Sequence, residues 1–171
     1  RPSMRPRVLL FSALLLLCVS CDHATKRVAT SLLAQADTVS LAGDAVRFEL
    51  AYNAGALLSL GAGLSPDLRR LLLVGLVPLG LAIVCVSVLR QRTLHSASLV
   101  GVALIAGGGI GNWLDRLLHD GLVTDFVSIG TGPLRTGIFN AADVFVVAGV
   151  LLILAGSFWR EPAPADGDAP A

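Results

Sequence analysis

Charge is scarce in this 171-residue chain. Asp, Glu, Lys and Arg make up 15% of it, against about 25% in an ordinary soluble domain. Runs of Lys and Arg are missing, and with a net charge of +1 nothing offers a phosphate-binding surface, so a nucleic-acid partner is excluded. Cysteine numbers three. Cys18 and Cys21 mimic a C-x-x-C redox or metal pair, but no second pair exists and Cys85 lies in another apolar run, so all three read as small packing residues. A serine or Ser/Lys protease lacks its nucleophile context, because Ser59 lies in no G-x-S-x-G and Lys26 already faces Asp22.

Apolar length is what the chain has instead, with 54% hydrophobic residues and a mean hydropathy of +0.77. Residues 71–89 carry no charge for 19 positions, and residues 93–114 contain no Asp, Glu, Lys or Arg for 22. At about 1.5 Å per residue each can cross a hydrocarbon core of roughly 30 Å. Two further runs are less regular. Residues 8–21 need 22–33 as a helical continuation, and 136–159 are interrupted by one carboxylate, Asp143. The predicted fold is an all-α transmembrane bundle of four helices, at 8–33, 69–90, 93–116 and 136–159, with a small extramembrane β-sheet on the periplasmic side. Strand-like alternation in Thr38-Val-Ser-Leu and Ala45-Val-Arg-Phe-Glu-Leu places that sheet in residues 34–68. Leu57, Leu58 and Leu60 read as an interfacial stretch, and residues 117–135 as a loop.

Arg1, Arg5 and Arg7 precede the first helix, and Arg90 and Arg92 lie in the short second loop. Both termini, 1–7 and 160–171, are therefore expected in the cytoplasm. Residues 1–3 ahead of Met4 read as an added remnant, and 161–171, rich in Pro, Ala and Asp, as a disordered tail. A lipoprotein signal ending at Cys21 is the competing reading of the first segment. Against it, Cys18 stands where such signals favour Leu, and Asp22 and Lys26 at i, i+4 continue a helix whose face Ala29 and Leu33 extend.

With this topology nine of the twelve acidic residues fall on one side of the membrane. Carboxylates at the edge of lipid are costly and mostly functional. Asp22, Lys26, Asn53, Asn112, Asp115, Arg116, Asp125, Asn140 and Asp143 gather there. Each has a structural reading too. Asp115 beside Arg116 fits a salt-bridged helix end, Asp22 with Lys26 an ion pair, and Asn140 an N-cap with Asp143 at N3. The glycines at 107–109 and 111 resemble a phosphate loop only loosely; no strand precedes them, and small residues in a membrane helix permit close packing. Asp125 stands apart, since Val123, Thr124 and Phe126 flank it without a cation and burial should raise its pKa. Asp143 sits where a helix amino terminus favours negative charge. Two carboxylates in such different settings suit acid and base roles in amide hydrolysis.

Five segments in order, Asp22-His-Ala-Thr-Lys26, Asn53-Ala-Gly-Ala, Gly111-Asn-Trp-Leu-Asp-Arg116, Val123-Thr-Asp-Phe126 and Phe139-Asn-Ala-Ala-Asp143, resemble the motif set of lipoprotein signal peptidase, the bacterial signal peptidase II. The resemblance covers about residues 8–159. It implies a multi-pass aspartyl endopeptidase of the bacterial inner membrane, with no metal or cofactor. Such an enzyme cuts a prolipoprotein before its diacylglyceryl-modified cysteine. It further implies Asp125 and Asp143 as catalytic dyad, with Asn53, Gly55, Asn112, Asp115, Arg116, Asn140, Asp22 and Lys26 in substrate-binding or supporting roles. Expected partners are lipidated precursors and membrane lipids, with the enzyme monomeric and its site at the periplasmic face. The chain departs from the family pattern at His23, where Gln is common, at Leu57 and Leu58, and at His119-Asp120, which lengthens a loop. A proton-coupled transporter is the rival class, but the second helix offers only Ser87, Cys85 and Pro78 along its uncharged run for a polar path. A catalytically inactive, lipoprotein-binding homologue is the other alternative, and the intact Asp125 and Asp143 argue against it.

Overall fold

The computed structural model describes residues 4–35, 38–56, 60–91 and 95–158. The expected interfacial leucines 57 and 58, residues 1–3 and the tail from 159 onward lie outside them. Among the described residues, four helices and four strands follow one another as α1 (Met4–Leu33), β1 (Val39–Leu41), β2 (Val46–Asn53), α2 (Pro66–Arg90), α3 (Ser96–Leu118), β3 (Val123–Thr131), β4 (Leu134–Arg135) and α4 (Ala141–Phe158). Helices α1, α2 and α3 are long and apolar enough to cross a membrane, while the apolar stretch of α4, Ala141–Ser157, is shorter. Helix α4 thus begins five residues later than expected. Asn140 caps it, and Phe139 ahead of it pairs as an isolated β-bridge with Val127.

Helix α3 is the central post, and its glycines decide how near the others come. A Cβ on Gly108 would overlap the carbonyl oxygen of Ala142, and one on Gly149 would sit 2.5 Å from that of Gly101, so α3 and α4 touch backbone to backbone. Gly107 presses on Cys18 of α1, and Cys18 is buried there as a free thiol. The glycine cluster is therefore a packing surface, as membrane helices use small residues. Phe11, Leu99, Val102, Ala103 and Ala106 close the core between α1 and α3. Outward, leucines such as Leu9, Leu16, Leu17, Leu79 and Leu151 stand exposed. A single copy leaves this outer surface apolar all round, as a helix bundle in lipid does.

The strands form one antiparallel sheet in the order β1-β2-β3-β4. Its second half comes from residues 117–135, where a loop was expected. Strand β3 escapes the sequence pattern because its first four residues are all buried, so no polar alternation marks it. Phe48 lies opposite Val127 but Ala51 opposite Asp125, so β2 carries one extra residue there. Such a bulge bends the strand and re-aims its side chains. At the far corner Asp44 accepts from Arg47 Nε at 2.6 Å, Ser40 at 2.8 Å and Arg135 at 3.1 Å, tying the β1–β2 turn to β4. These donors, the Arg47 guanidinium first, hold the Asp44 carboxyl far below the ordinary carboxylate range.

The glycine contacts predict an asymmetry between neighbours. Gly108→Ala forces its methyl group into backbone and should destabilise the bundle by about 1–3 kcal/mol. Gly109→Ala meets only the tip of the Leu81 side chain and should cost clearly less. Thermal unfolding of both variants in detergent checks this, and equal midpoints would contradict the packing account.

Candidate active site

Four carboxylates lie buried at one end of the bundle: Asp22 (0% exposed) on α1, Asp115 (2%) on α3, Asp125 (1%) on β3 and Asp143 (6%) on α4. Burial of an unpaired charge is prohibitive. The structure meets that demand chiefly through Lys26 and three amide side chains, Asn53, Asn112 and Asn140. Lys26 Nζ donates to Asp22 Oδ2 at 2.7 Å and to Asn112 Oδ1 at 3.0 Å, and lies 3.0 Å from Asp115 Oδ2. The Asp22–Lys26 pair expected from their i, i+4 spacing is present. Asp115 is different from expectation. It does not pair with Arg116, because residues one apart on a helix point in different directions; it takes Lys26 and the backbone N–H of Thr124 at 2.9 Å. Gly111 makes this possible, since a Cβ there would stand 2.7 Å from Asp22 Oδ2.

Helix α4 is capped twice. Asn140 Oδ1 accepts from the Asp143 N–H at 3.0 Å, and Asp143 Oδ2 accepts from the Asn140 N–H at 3.2 Å, a reciprocal capping box. The N-cap read from the sequence is real. Asp22 Oδ1 accepts the next free N–H, that of Ala142, at 3.0 Å, so a carboxylate from α1 helps satisfy the orphan donors of α4.

Asp125 and Asp143 face a shared set of amides. Asn140 Nδ2 donates to Asp125 Oδ1 at 2.6 Å and to Asn112 Oδ1 at 3.0 Å, Asn53 Nδ2 donates to Asp125 Oδ2 at 3.0 Å, and Asn112 Nδ2 donates to Asp143 Oδ1 at 2.9 Å. Asn53 also turns its carbonyl oxygen to the Gly55 N–H at 2.8 Å, which fixes the chain leaving β2. Arg116, expected to offer donors to carbonyls, does so within the chain, to Asn112 O at 2.9 Å and Gly55 O at 2.5 Å, and keeps a buried Nε without a partner. Every sequence-predicted site residue is therefore in one network. The Thr124 and Ala142 amides and the Gly55 carbonyl were not legible beforehand, since backbone groups leave no mark in composition.

The charges do not balance. Four carboxylates meet two cations, Lys26 and Arg116, so a fully ionised site carries −2, and retention of one proton halves that excess. Asp125 is where the proton is favoured, its pKa pushed up to about 6 by burial first and by the charge of Asp143 second. The rise expected from its apolar neighbours is met. Among the described residues no three His, Cys, Asp or Glu side chains are arranged to hold a metal ion.

A pocket of about 240 Å³ opens beside Asp143, Asn112 and Arg116 and continues between α2 and α3 along Val77, Leu81 and Ile105. Of the four buried acids, Asp143 thus borders an apolar slot that leads into the bundle. Residues 14–159 match the family described as Signal peptidase (SPase) II. The chain belongs to the signal peptidase II family. It is 35% identical over 144 residues to the lipoprotein signal peptidase of Treponema denticola, covering 79% of this chain and 83% of that one. It is 34% identical over 158 residues to that of Mycobacterium tuberculosis strain H37Rv, covering 90% and 72%. In fold it is similar to a bacterial membrane enzyme solved by the in meso method at 2.3 Å resolution, with a TM-score of 0.77, 20% identity and 94% of each chain covered. As a signal peptidase II the chain is a multi-pass membrane peptidase of the aspartic type.

The network predicts that Lys26→Met is severe. It leaves Asp22 and Asp115 buried without a cation, and losing one partner of a buried ion pair costs about 3–5 kcal/mol. Thermal unfolding in detergent should show a large drop in midpoint; an unchanged midpoint would mean that the two acids are neutral in the folded protein.

Proposed function

We propose that this signal peptidase II removes signal peptides from prolipoproteins by cutting the amide bond before a diacylglyceryl-modified cysteine, with Asp125 and Asp143 as its catalytic pair. What supports the pair is one observation: two buried acids from facing elements are held by Asn140 and Asn112, and Asp143 opens onto an apolar slot. In this arrangement one carboxylate takes a proton from water. The other, protonated, donates to the carbonyl oxygen as negative charge develops on it. The water oxygen thereby bonds to the carbonyl carbon. The C–N bond then breaks as the first carboxyl gives its new proton to the nitrogen, and a diol hydroxyl returns a proton to the second, which restores the pair. Asn53, Asn112 and Asn140 hold the two carboxyls in place, while Arg116 and Gly55 shape the wall where the substrate backbone lies.

The rest of the proposal concerns the membrane. Four helices span it, the short α4 included, because its capped end at Asn140 belongs to the site and not to lipid. The arginines before α1 and after α2 put both termini in the cytoplasm, so the sheet and the acids lie at the periplasmic face of the inner membrane. Acyl chains of the substrate enter the slot sideways from the bilayer; each CH₂ they bury contributes roughly 0.8 kcal/mol. The protein acts as a monomer, since the network closes within one chain.

Asp125→Asn and Asp143→Asn should each reduce cleavage of a lipidated precursor by at least about 10³-fold, followed as a gel shift, with the detergent-solubilised variants still folded. Full activity in either would remove that residue from the mechanism. The pH dependence has a defined sign. Asp125 holds its proton below about 6 and releases it above, so the singly protonated pair is lost as pH rises. For the free enzyme kcat/KM should therefore fall on the alkaline side with a midpoint near that value, whereas a rate that climbs steadily from pH 6 to 8 would contradict the assignment.

A further inference from the structure

A second cavity lies on the opposite side of the sheet from the acids, and nothing in the peptidase reaction uses it. It measures about 510 Å³ and runs between the last turns of α1 and the underside of β1 and β2, lined by Val28, Ala29, Leu32, Leu41, Phe48 and Phe126 among others. Successive residues of a strand point to opposite faces. Asp125 therefore looks into the site, while Phe126 looks into this groove and packs on Ala29 and Leu33. Thr25 is the one polar residue in the lining. Its hydroxyl is already engaged by the carbonyls of Cys21 and Asp22, each at 2.9 Å. No free polar group remains to hold water.

The position of the groove says what fills it. Val28 (57% exposed) and Leu32 (71%) continue the apolar surface that α1 presents through Leu9, Leu16 and Leu17, and Leu41 on β1 is 52% exposed beside them. The bilayer surface of α1 therefore runs into the groove without a polar break. At about 1.5 Å per residue, the 20 residues from Val8 use up roughly 30 Å of hydrocarbon, so the groove begins at the edge of the core and rises past it. That is the level of an acyl chain just below its glycerol. We propose that this groove binds one acyl chain of a bilayer phospholipid, which seats the β1–β2 hairpin on the membrane and backs Phe126, the residue after Asp125. A substrate acyl chain is ruled out as occupant by the sheet that separates the groove from the acids.

The test uses the full chain in nanodiscs of phosphatidylcholine and phosphatidylglycerol containing a trace of phospholipid with a diazirine midway along one acyl chain. Irradiation and peptide mass spectrometry locate the labelled residues. Labels are expected on Phe48 and on Phe126, which is only 8% exposed and out of reach of lipid that merely surrounds the bundle. Ala24→Trp, at the exposed rim, should cut labelling of both at least about fivefold and leave labelling of Leu79 and Ile83 on α2 unchanged. The proposal is overturned if labels appear only on outward helix residues such as Leu79. Labelling of Phe126 by a diazirine-bearing lipidated precursor but not by the phospholipid overturns it too, and neither result bears on the dyad.

Discussion

Lys26 is the contact on which the rest of the site depends. Through Asp22 it reaches the Ala142 amide and so the start of α4, which carries Asp143; through Asp115 it reaches the Thr124 amide and so the strand that carries Asp125. Through Asn112 it reaches Asn140 and Asp143 directly. One ammonium thus sets the relative position of α1, α3, α4 and β3. A lysine with three donors on a compact charge suits a hub of three acceptors, and its burial at 4% exposure keeps those interactions free of solvent screening.

The same constraint explains the glycines and the sheet. Three oxygens can converge on Lys26 only if α1 comes close to α3, which Gly107 and Gly111 allow, and Gly108 lets the start of α4 join them. The sheet then closes over the exposed end of the network, with Asn53 from β2 and Asp125 from β3 meeting across the bulged register. Four acids in so little space repel one another, and burial with the charge of Asp143 lets the Asp125 carboxyl keep a proton up to about pH 6, the kind of group acid catalysis uses.

Much of this was legible in the sequence, and the failures are instructive. Three helices of membrane-crossing length followed from apolar length, the Asp22–Lys26 pair from i, i+4 spacing, and the Asn140 cap from residue type, because each of these signals is local. Strand β3 was taken for a loop since its partners in β2 lie 70 or more residues away and its first four side chains are uniformly buried. The partner of Asp115 was misassigned to Arg116 for a related reason. Adjacent charges look paired on paper, yet the helix turns them apart, and only the packing of α1 on α3 brings Lys26 within reach. The start of α4 was misplaced because residues 136–139 are as apolar as a helix but are tied to β3 through Phe139 and Val127.

We propose that Asp125 and Asp143 share one proton in a site held together by Lys26. Carbon-13 NMR of aspartate-labelled protein in detergent, with Asp125→Asn to assign the signals, reads carboxyl protonation directly. The account predicts one carboxyl of the pair still protonated above pH 5 and ionising near pH 6, with its neighbour's signal moving in the same step. Both carboxyls fully ionised by pH 4.5 would contradict it.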